Sequence, residues 1–486
     1  MKGFLLLLSV GVLFISACVR VGPQYRPPDT GLSPPPAYQH APPEAYPVPE
    51  DRWWEVFGDP EIDRLVQEVL KENWDVRQAA ARVLEMRAHL ASARADRFPR
   101  LEFTAEAQRQ RQTVQIPFPV PKKKVSITDA YNLSLAASFE VDLWGRLARA
   151  EEAARERLLA EEENRRTVAQ TVVAEALTLY FQAWALGRRL GLAERRVENL
   201  RKTLSILEGR YRRGLVSLSE VKAARRTLKM AEASLPLLRE ELGQVQQRLC
   251  LLLGRYPRTT SVEPSRRDYV EGLRPVPPGL PSELLERRPD LRAAEARLRA
   301  LTAEVGVAKA ARFPRITLTG SYGYASEDLQ ALLSPQSLFW RLAAGLVQPV
   351  FEAGRLKAAQ RAAEARLQEA VADYAKRVLQ ALYEVERSLM SRKELFERRE
   401  KVLSSLREAE DLEGMSRSRY HMGLIDYLQV LEAERMCLEA EEELVLVDLA
   451  ILTNRVALHR ALGGGWAEPP PAKGEDKRRS CGHEGR

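Results

Sequence analysis

Apolar positions first recur at helical spacing just after residue 59. Ile62, Leu65, Val66 and Val69 share one face, behind Asp59 at the N-cap position and Pro60 in the first turn. Asp75 and Asp290 open two further helices, and the Phe-Pro pairs at 98–99 and 313–314 end them, because proline disfavours helical geometry in the residue before it. Directly afterwards the period changes from 3.6 to 2. Leu101, Phe103, Ala105 and Ala107 alternate with Glu102, Thr104, Glu106 and Gln108. Tyr131, Leu133, Leu135, Ala137, Phe139 and Val141 alternate with a polar or small set, and Ile316, Leu318, Tyr322 and Tyr324 do the same. A fourth stretch from Trp340 to Phe351 keeps Trp340, Leu342, Ala344 and Leu346 on one face. The pattern therefore predicts four strands of roughly ten residues, apolar on one side and polar on the other.

Two very long helices follow the strand pairs. Gly145 to about Gly209 and Gly354 to about Gly414 contain no proline, which at 1.5 Å per residue predicts rods of roughly 90–100 Å. Alanine-rich spacing with Glu and Arg at i,i+4 suits close antiparallel helices with a wet outer face. Each rod reverses at a similar tip, RYRRGLVSLSE (210–220) and RYHMGLIDYLQ (419–429), and returns to Gly254 or Gly463. Pro236 lies in the first returning helix and predicts a kink or a split there.

The chain is a duplicated unit. Residues 75–105 match 290–320 at a constant offset of 215, with 13 of 31 positions identical, including Arg-Phe-Pro-Arg in both. An offset of 209 then pairs Gly145 with Gly354, Tyr211 with Tyr420, Gly214 with Gly423, Arg226 with Arg435 and Gly254 with Gly463. One offset held over about a hundred residues marks two copies of one plan.

The termini fall outside this plan. Lys2, the apolar run Phe4–Ile15 and Ile15-Ser16-Ala17-Cys18 have the layout of a signal peptide, too short for a stop-transfer helix. Small residues before a cysteine resemble a bacterial lipobox, in which Cys18 is acylated after cleavage; an ordinary signal peptide with an incidental cysteine is the alternative. Val19, rather than an aspartate resembling an inner-membrane retention signal, favours the outer membrane. Ten of the 29 prolines lie between Pro23 and Pro49, so that segment runs extended. The expected division is signal peptide 1–17, lipidated extended segment 18–58, first repeat 59–260, second repeat 261–467, and a disordered tail 468–486.

Composition narrows the function classes. The 75 Lys and Arg stand against 67 Asp and Glu, interleaved on helix faces, so no phosphate-tracking stripe forms and a nucleic-acid partner is not expected. Four cysteines without a CxxC pair and five scattered histidines without HExxH offer no metal site and no cofactor pocket. Cys250 and Cys437 read as buried small apolar residues without a disulfide. Gly463-Gly464-Gly465 lacks the Lys-Ser/Thr of a phosphate loop, and no catalytic constellation stands out, so an enzyme is not expected.

Ten-residue alternating strands are long enough to cross a bilayer when tilted, although a soluble sandwich with one buried face has the same pattern. In lipid, four strands cannot close, and two chains would supply eight, three twelve, of which only the latter leaves a lumen. Glu102, Glu106, Glu140 and Asp142 on the polar face favour a lumen, and Tyr131 and Trp340 are placed for an interfacial belt. A periplasmic coiled-coil scaffold or adaptor lipoprotein without a pore is the competing reading.

The lipobox, Val21-Gly22-Pro23-Gln24-Tyr25, Phe57-Gly58-Asp59-Pro60, the two Arg-Phe-Pro-Arg motifs, Phe139-Glu140-Val141-Asp142-Leu143-Trp144-Gly145-Arg146 and Ala461-Leu462-Gly463-Gly464-Gly465-Trp466 together resemble the TolC-like outer-membrane efflux proteins, in particular the lipoprotein branch typified by OprM. The resemblance implies a mainly α fold with a membrane β segment. It implies a homotrimeric α-barrel/β-barrel channel, with four strands, long helical hairpins and two internal repeats per protomer. It also implies an outer-membrane lipid environment, a periplasmic adaptor and an inner-membrane pump, often of the resistance-nodulation-division class. By the same resemblance Arg213, Gly214 and Leu215, with Met422, Gly423 and Leu424, correspond to adaptor-contacting tips, for which a plain helix turn is the alternative. Leu428, Glu432 and Arg435 correspond to the periplasmic gate, where an ordinary surface ion pair is the alternative. The branch more often has Asp where this chain has Glu432, and the first repeat has Ser219, Ala223 and Arg226 in the equivalent places.

Overall fold

The computed structural model describes residues 20–29, 31, 35–41, 52–116, 122–257, 267–273, 275–279 and 281–464. The signal segment, Cys18, the repeat boundary at 260–261 and the tail from 468 lie outside them. In chain order the main elements are α1 (Pro60–Glu72), α2 (Trp74–Ala95), β1 (Arg100–Ile116), β2 (Lys122–Val141), α3 (Arg146–Arg212), α4 (Leu218–Leu252), α5 (Pro289–Ala310), β3 (Arg315–Ser326), β4 (Leu338–Val347), α6 (Arg355–His421) and α7 (Tyr427–Ala461). The order from α2 to α4 recurs from α5 to α7, so the duplication in sequence is a duplication of structure. Two compact units form, one from Met1–Gly31, Arg82–Glu162 and Ala293–Ala375, the other from Leu32–Ala81, Glu163–Arg292 and Lys376–Arg486.

The first unit holds one antiparallel sheet in the order β1-β2-β3-β4. Its register sets apolar against apolar across every pair: Phe103 opposite Leu135, Leu135 opposite Tyr322, Tyr322 opposite Trp340. Because side chains alternate with period 2, this one register builds a continuous apolar face and leaves Glu102, Asn132, Ser138, Thr317 and Thr319 on the other. The apolar face is uncovered: Phe103 is 70% exposed, Trp340 72% and Leu342 78%. At Gly323 a Cβ would lie 2.1 Å from the Leu133 carbonyl oxygen and 2.6 Å from Ser134 Cα, so only glycine permits this approach of β3 to β2. β1 and β2 exceed the expected ten residues, at 17 and 20. Backbone pairing continues into polar sequence where the alternation of apolar residues has already stopped.

The junction of β2 and α3 explains the two motifs that looked most distinctive in the sequence. The Asp142 carboxylate accepts from the backbone N–H of Leu147 (3.1 Å) and Ala148 (2.8 Å), the orphan donors of the first turn of α3. Arg146 grips Glu140 through Nε at 3.0 Å and a terminal nitrogen at 2.8 Å. Trp144 stacks on Phe313 with ring centres 4.9 Å apart, and its indole N–H donates to the Pro314 carbonyl at 2.8 Å. Glu140 and Asp142, expected as lumen-lining carboxylates, are therefore engaged in turning the chain from strand to helix, because helix-start amides and a guanidinium lie within reach. The other Arg-Phe-Pro-Arg contributes Arg97, which joins Arg94 and Arg155 around the buried Glu151 at 2.5–3.1 Å and holds its carboxyl below the usual carboxylate range.

The second unit carries the main apolar core: Trp53, Trp54 and Phe57 with Ile62, Val66 and Val69 of α1, Leu177, Tyr180, Phe181 and Trp184 of α3, and Ile451 and Leu452 of α7. Asp59 caps α1 as expected, accepting from Glu61 N–H at 2.9 Å. Buried, it also accepts from the hydroxyl of Tyr180 at 3.1 Å and from that of Tyr269. Asn73, rather than Asp75, caps α2, its side-chain oxygen accepting from the N–H of Asp75 and Val76. The 67-residue helices run past Gly209 and Gly414 to Arg212 and His421. Glycine inside a helix costs only about 1 kcal/mol against alanine, less than the packing that holds these rods. Pro236 does not split α4, which is continuous from Leu218 to Leu252. Cys250 and Cys437 are buried and form no disulfide among the described residues.

Candidate functional site

The expected tip residues sit at two helix reversals built alike. At the end of α3, Gly214 N–H bonds the Tyr211 carbonyl at 2.9 Å and Leu215 N–H the Arg210 carbonyl at 3.0 Å. At the end of α6, Gly423 bonds Tyr420 at 2.9 Å and Leu424 bonds Arg419 at 3.0 Å. Both glycines are left-handed, with φ of 73° and 74°, which closes each rod in the same hydrogen-bonded cap. The returning helices are capped at equivalent places: Ser217 forms a capping box with Glu220, and Asp426 accepts from Leu428 N–H at 3.3 Å. The caps force Leu215, Met422 and Leu424 outward, where each is 65–68% exposed, while Arg213 turns its guanidinium back to the Gly209 carbonyl at 3.2 Å.

An ion pair from Arg210 to Asp426 ties the end of α3 to the cap of α7, so the two tips stand together. It is the lowest rung of a ladder between α3 and α7. Asn199 donates to Glu434 at 2.5 Å and to the Leu431 carbonyl at 3.3 Å, Arg196 reaches Glu439 at 3.6 Å, and Arg189 bonds Glu442 at 3.0 Å. As one number falls the other rises, the signature of antiparallel helices. Sequence reading missed this ladder, since the charges are ordinary until one knows which helices become neighbours.

Leu428, Glu432 and Arg435 occupy successive turns at the start of α7. Leu428 is half-buried, Glu432 exposed, and Arg435 is held between two carboxylates: Nε bonds Glu432 at 3.0 Å, one terminal nitrogen bonds Glu432 again, and the other bonds Glu439 at 2.7 Å. The guanidinium holds the Glu432 carboxyl below the usual carboxylate range, and the carboxylates raise Arg435 further. The arrangement is an ion-paired triad on a partly wet surface. Among the described residues no helix is long and apolar enough to cross a membrane, and no group of three His, Cys, Asp or Glu could hold a metal ion.

A sheet with one bare apolar face, followed by paired helical rods ending in matched apolar tips, describes a transport conduit more readily than a catalyst. The profile of the outer membrane efflux protein family matches residues 65–255 and again 280–464, one match per repeat. The pyoverdine export outer membrane protein OpmQ of Pseudomonas putida is 33% identical over 455 residues, covering 92% of this chain and 95% of the relative. The probable outer membrane lipoprotein SilC of Salmonella typhimurium is 30% identical over 470 residues, covering 95% and 99%. The solved structure of the outer-membrane channel OprN is 31% identical, with a TM-score of 0.83 over 92% of this chain and 99% of that one. The chain belongs to the outer membrane efflux protein family. It is an outer-membrane efflux channel, in a family of ducts rather than enzymes.

Proposed function

We propose that three copies of this chain assemble into a passive duct for a tripartite efflux system. The observation that carries this reading is the four-stranded sheet whose outer strands, β1 and β4, each have one free edge among the described residues. In lipid an open edge costs several kcal/mol per unpaired group, so β4 of one copy must pair with β1 of the next. Four strands per copy close as twelve in a trimer, wide enough for a lumen lined by the polar face, whereas eight would fill with side chains. The helical rods then lie in the periplasm, and the exposed Leu215, Met422 and Leu424 form a docking face for a periplasmic adaptor fed by an inner-membrane pump of the resistance-nodulation-division class. Glu432 and Arg435, with Leu428, form the gate at the narrow end, opened by those partners. Residues 1–17 are removed on export and Cys18 is acylated, in line with the lipoprotein name of SilC, and the duct carries no chemistry of its own.

The protein mass of the detergent-solubilised mature complex, from light scattering corrected for bound detergent, tests the assembly. Three chains support it; a monomer or dimer that persists across detergents overturns it. For the gate, Glu432→Ala should raise single-channel conductance in planar bilayers, and an unchanged conductance removes the gating role.

A further inference from the structure

Ion pairs fix the order of the four rods toward their tips. Arg225 of α4 bonds Glu208 of α3 at 2.6 Å, and Arg239 bonds Glu194 at 3.0 Å. α3 meets α7 along the ladder that includes Asn199 and Glu434. α7 meets α6 through Asp448 with Arg399 at 2.7 Å and Glu434 with Arg417 at 3.5 Å. The rods therefore stand in the order α4-α3-α7-α6. The outer sides of α4 and α6 stay exposed, at Arg226, Met230 and Leu237 on the one and at Glu408, Asp411 and Met415 on the other. The edge strands β1 and β4 are open in the same way.

The internal duplication says what these bare sides are shaped to meet. At the offset of 209, α3 corresponds to α6 and α4 to α7. The contact of α3 with α7 inside the chain thus has one counterpart left to make, α6 against an α4 that is not its own. In the contact that is made, Glu434 is shared between Arg417 of its own hairpin and Asn199 of the neighbouring rod. Shifted by 209, these three become Arg225, Glu208 and Glu408. The hairpin half of the set is present with its charges reversed, since Arg225 bonds Glu208. The third member, Glu408, is exposed on α6 and carries the sign that Arg225 attracts. Charge agrees over the whole matching level. From Leu218 to Met230, α4 has four bases and one acid, Glu220, whereas from Ser404 to Glu413, α6 has four acids and one base, Arg407. Leu431 and Leu438 are buried on α7, and their counterparts on α4, Lys222 and Lys229, are exposed, Lys229 bonding Glu232 of its own helix at 2.8 Å.

We propose that, toward the tips, α4 of one copy docks on α6 of the next through a charged seam centred on Arg225 and Glu408. The proposal rests on the trimer reading and names the helical surface by which the ring closes. Copies related by an axis along the rods keep equivalent residues at one level, so the register seen within the chain carries over to the contact between chains. A solvated face needs neither opposite net charge at the matching level nor the retained half of a shared set. A second copy satisfies both, because each outer side presents what the other lacks. Opposite signs steer α4 onto α6 and set α4 against α4 and α6 against α6, which leaves only the head-to-tail ring. The seam between copies is thereby salt-sensitive, unlike the apolar seam within each chain.

The test uses the full mature protein in a neutral detergent, in a C250A/C437A/C481A background, with a short bis-maleimide as cross-linker. R225C/E408C should give two-chain and three-chain bands on a boiled denaturing gel. N199C/E434C, the same contact within the chain, should lose its free thiols without any band above one chain, which also shows that the background folds. A second pair, M230C/S405C, leaves the charges in place and reports how closely the seam is shut. Its cross-linking between chains should slow about fivefold with Glu408→Arg and slow likewise at high salt. E208R/R225E/E408R inverts the whole set and should restore the rate to within about twofold, a rescue that a seam held by shape alone would not show. Only one-chain bands from R225C/E408C, in a complex that weighs three chains, overturn the proposal and leave the trimer standing. An M230C/S405C rate indifferent to Glu408→Arg does the same. A complex that weighs one or two chains overturns the trimer reading beneath it.

Discussion

Replacing Asp59 should destabilise the second unit by several kcal/mol, because one buried carboxylate serves three donors. Its carboxylate is buried, caps α1 through Glu61 N–H, and accepts from both Tyr180 and Tyr269, whose hydroxyls also lie 3.1 Å from each other. Loss of an N-cap costs about 1 kcal/mol, and each hydrogen bond to a buried charge about 1.5–3 kcal/mol. Asp59→Ala leaves the two phenols able to pair with one another, which returns about 1 kcal/mol, so the net loss is about 3–6 kcal/mol. Tyr269→Phe removes a single bond and should cost about 1.5–3 kcal/mol. Because both changes delete the same contact, the double variant should fall short of the sum by about 1–2 kcal/mol. Thermal unfolding at a fixed scan rate, followed by tryptophan fluorescence, reads this out, since Trp53, Trp54 and Trp184 all lie in that core. A domain of this size moves about 2–4 °C per kcal/mol, so Asp59→Ala should lower the midpoint by roughly 6–24 °C. A shift under about 2 °C, or strictly additive single and double variants, would refute the assignment of a shared network.

Other expectations follow from the same geometry. Glu432 has a lowered carboxyl pKa in the folded chain, so its ion pair is intact above the ordinary carboxylate value of about 4.3 and is lost only as pH falls through the lower folded value. Conductance should thus stay flat through mild acid and rise only below the usual carboxylate range, and Arg435→Gln, which removes the pair at every pH, should raise conductance already at neutral pH; a rise that starts near pH 6 in the native channel contradicts this. Gly323→Ala places a methyl group on the Leu133 carbonyl and should abolish the heat-modifiable folded form on gels, while Gly345→Ala, whose nearest atom is at 4.0 Å, should not. Leu215→Ser with Leu424→Ser should leave the complex mass unaltered and weaken adaptor capture about tenfold or more, since each buried Leu contributes about 1.5–3 kcal/mol; undiminished capture places the docking face elsewhere.

Much of this architecture is legible in the sequence where a local rule operates alone. Asp59-Pro60 starts a helix, Phe98-Pro99 stops one, and Gly214 and Gly423 reverse two, because capping and left-handed backbone are decided within a few residues. The exposed tip leucines follow from the same rule. Features that depend on a neighbour in space were hidden. Glu140 and Asp142 fit a polar strand face until the start of α3 presents its amides and Arg146. Arg210 and Asp426 look unrelated at a separation of 216 residues until α3 and α7 lie antiparallel. The excess length of β1 and β2 escaped the alternation rule because a ladder needs only backbone, and a ribbon outside the apolar band has no reason to alternate.

The duplication and the spatial division of the chain cut across one another. Each compact unit is assembled from three separated stretches, and the last begins at Ala293 in one and at Lys376 in the other. A ribosome that has finished the first repeat has therefore completed neither unit, and the apolar strand face is already exposed. Contacts such as Val21 with Trp144, Asn73 with Leu252 and Gln170 with Gly463 join distant points of the chain, so loop closure precedes most of the stabilisation. Synthesis and folding are thereby separated in time. The sheet lacks its last strand until Val347 has been made, and the second unit lacks its last stretch until synthesis passes Lys376, so neither unit can close while the first repeat stands alone.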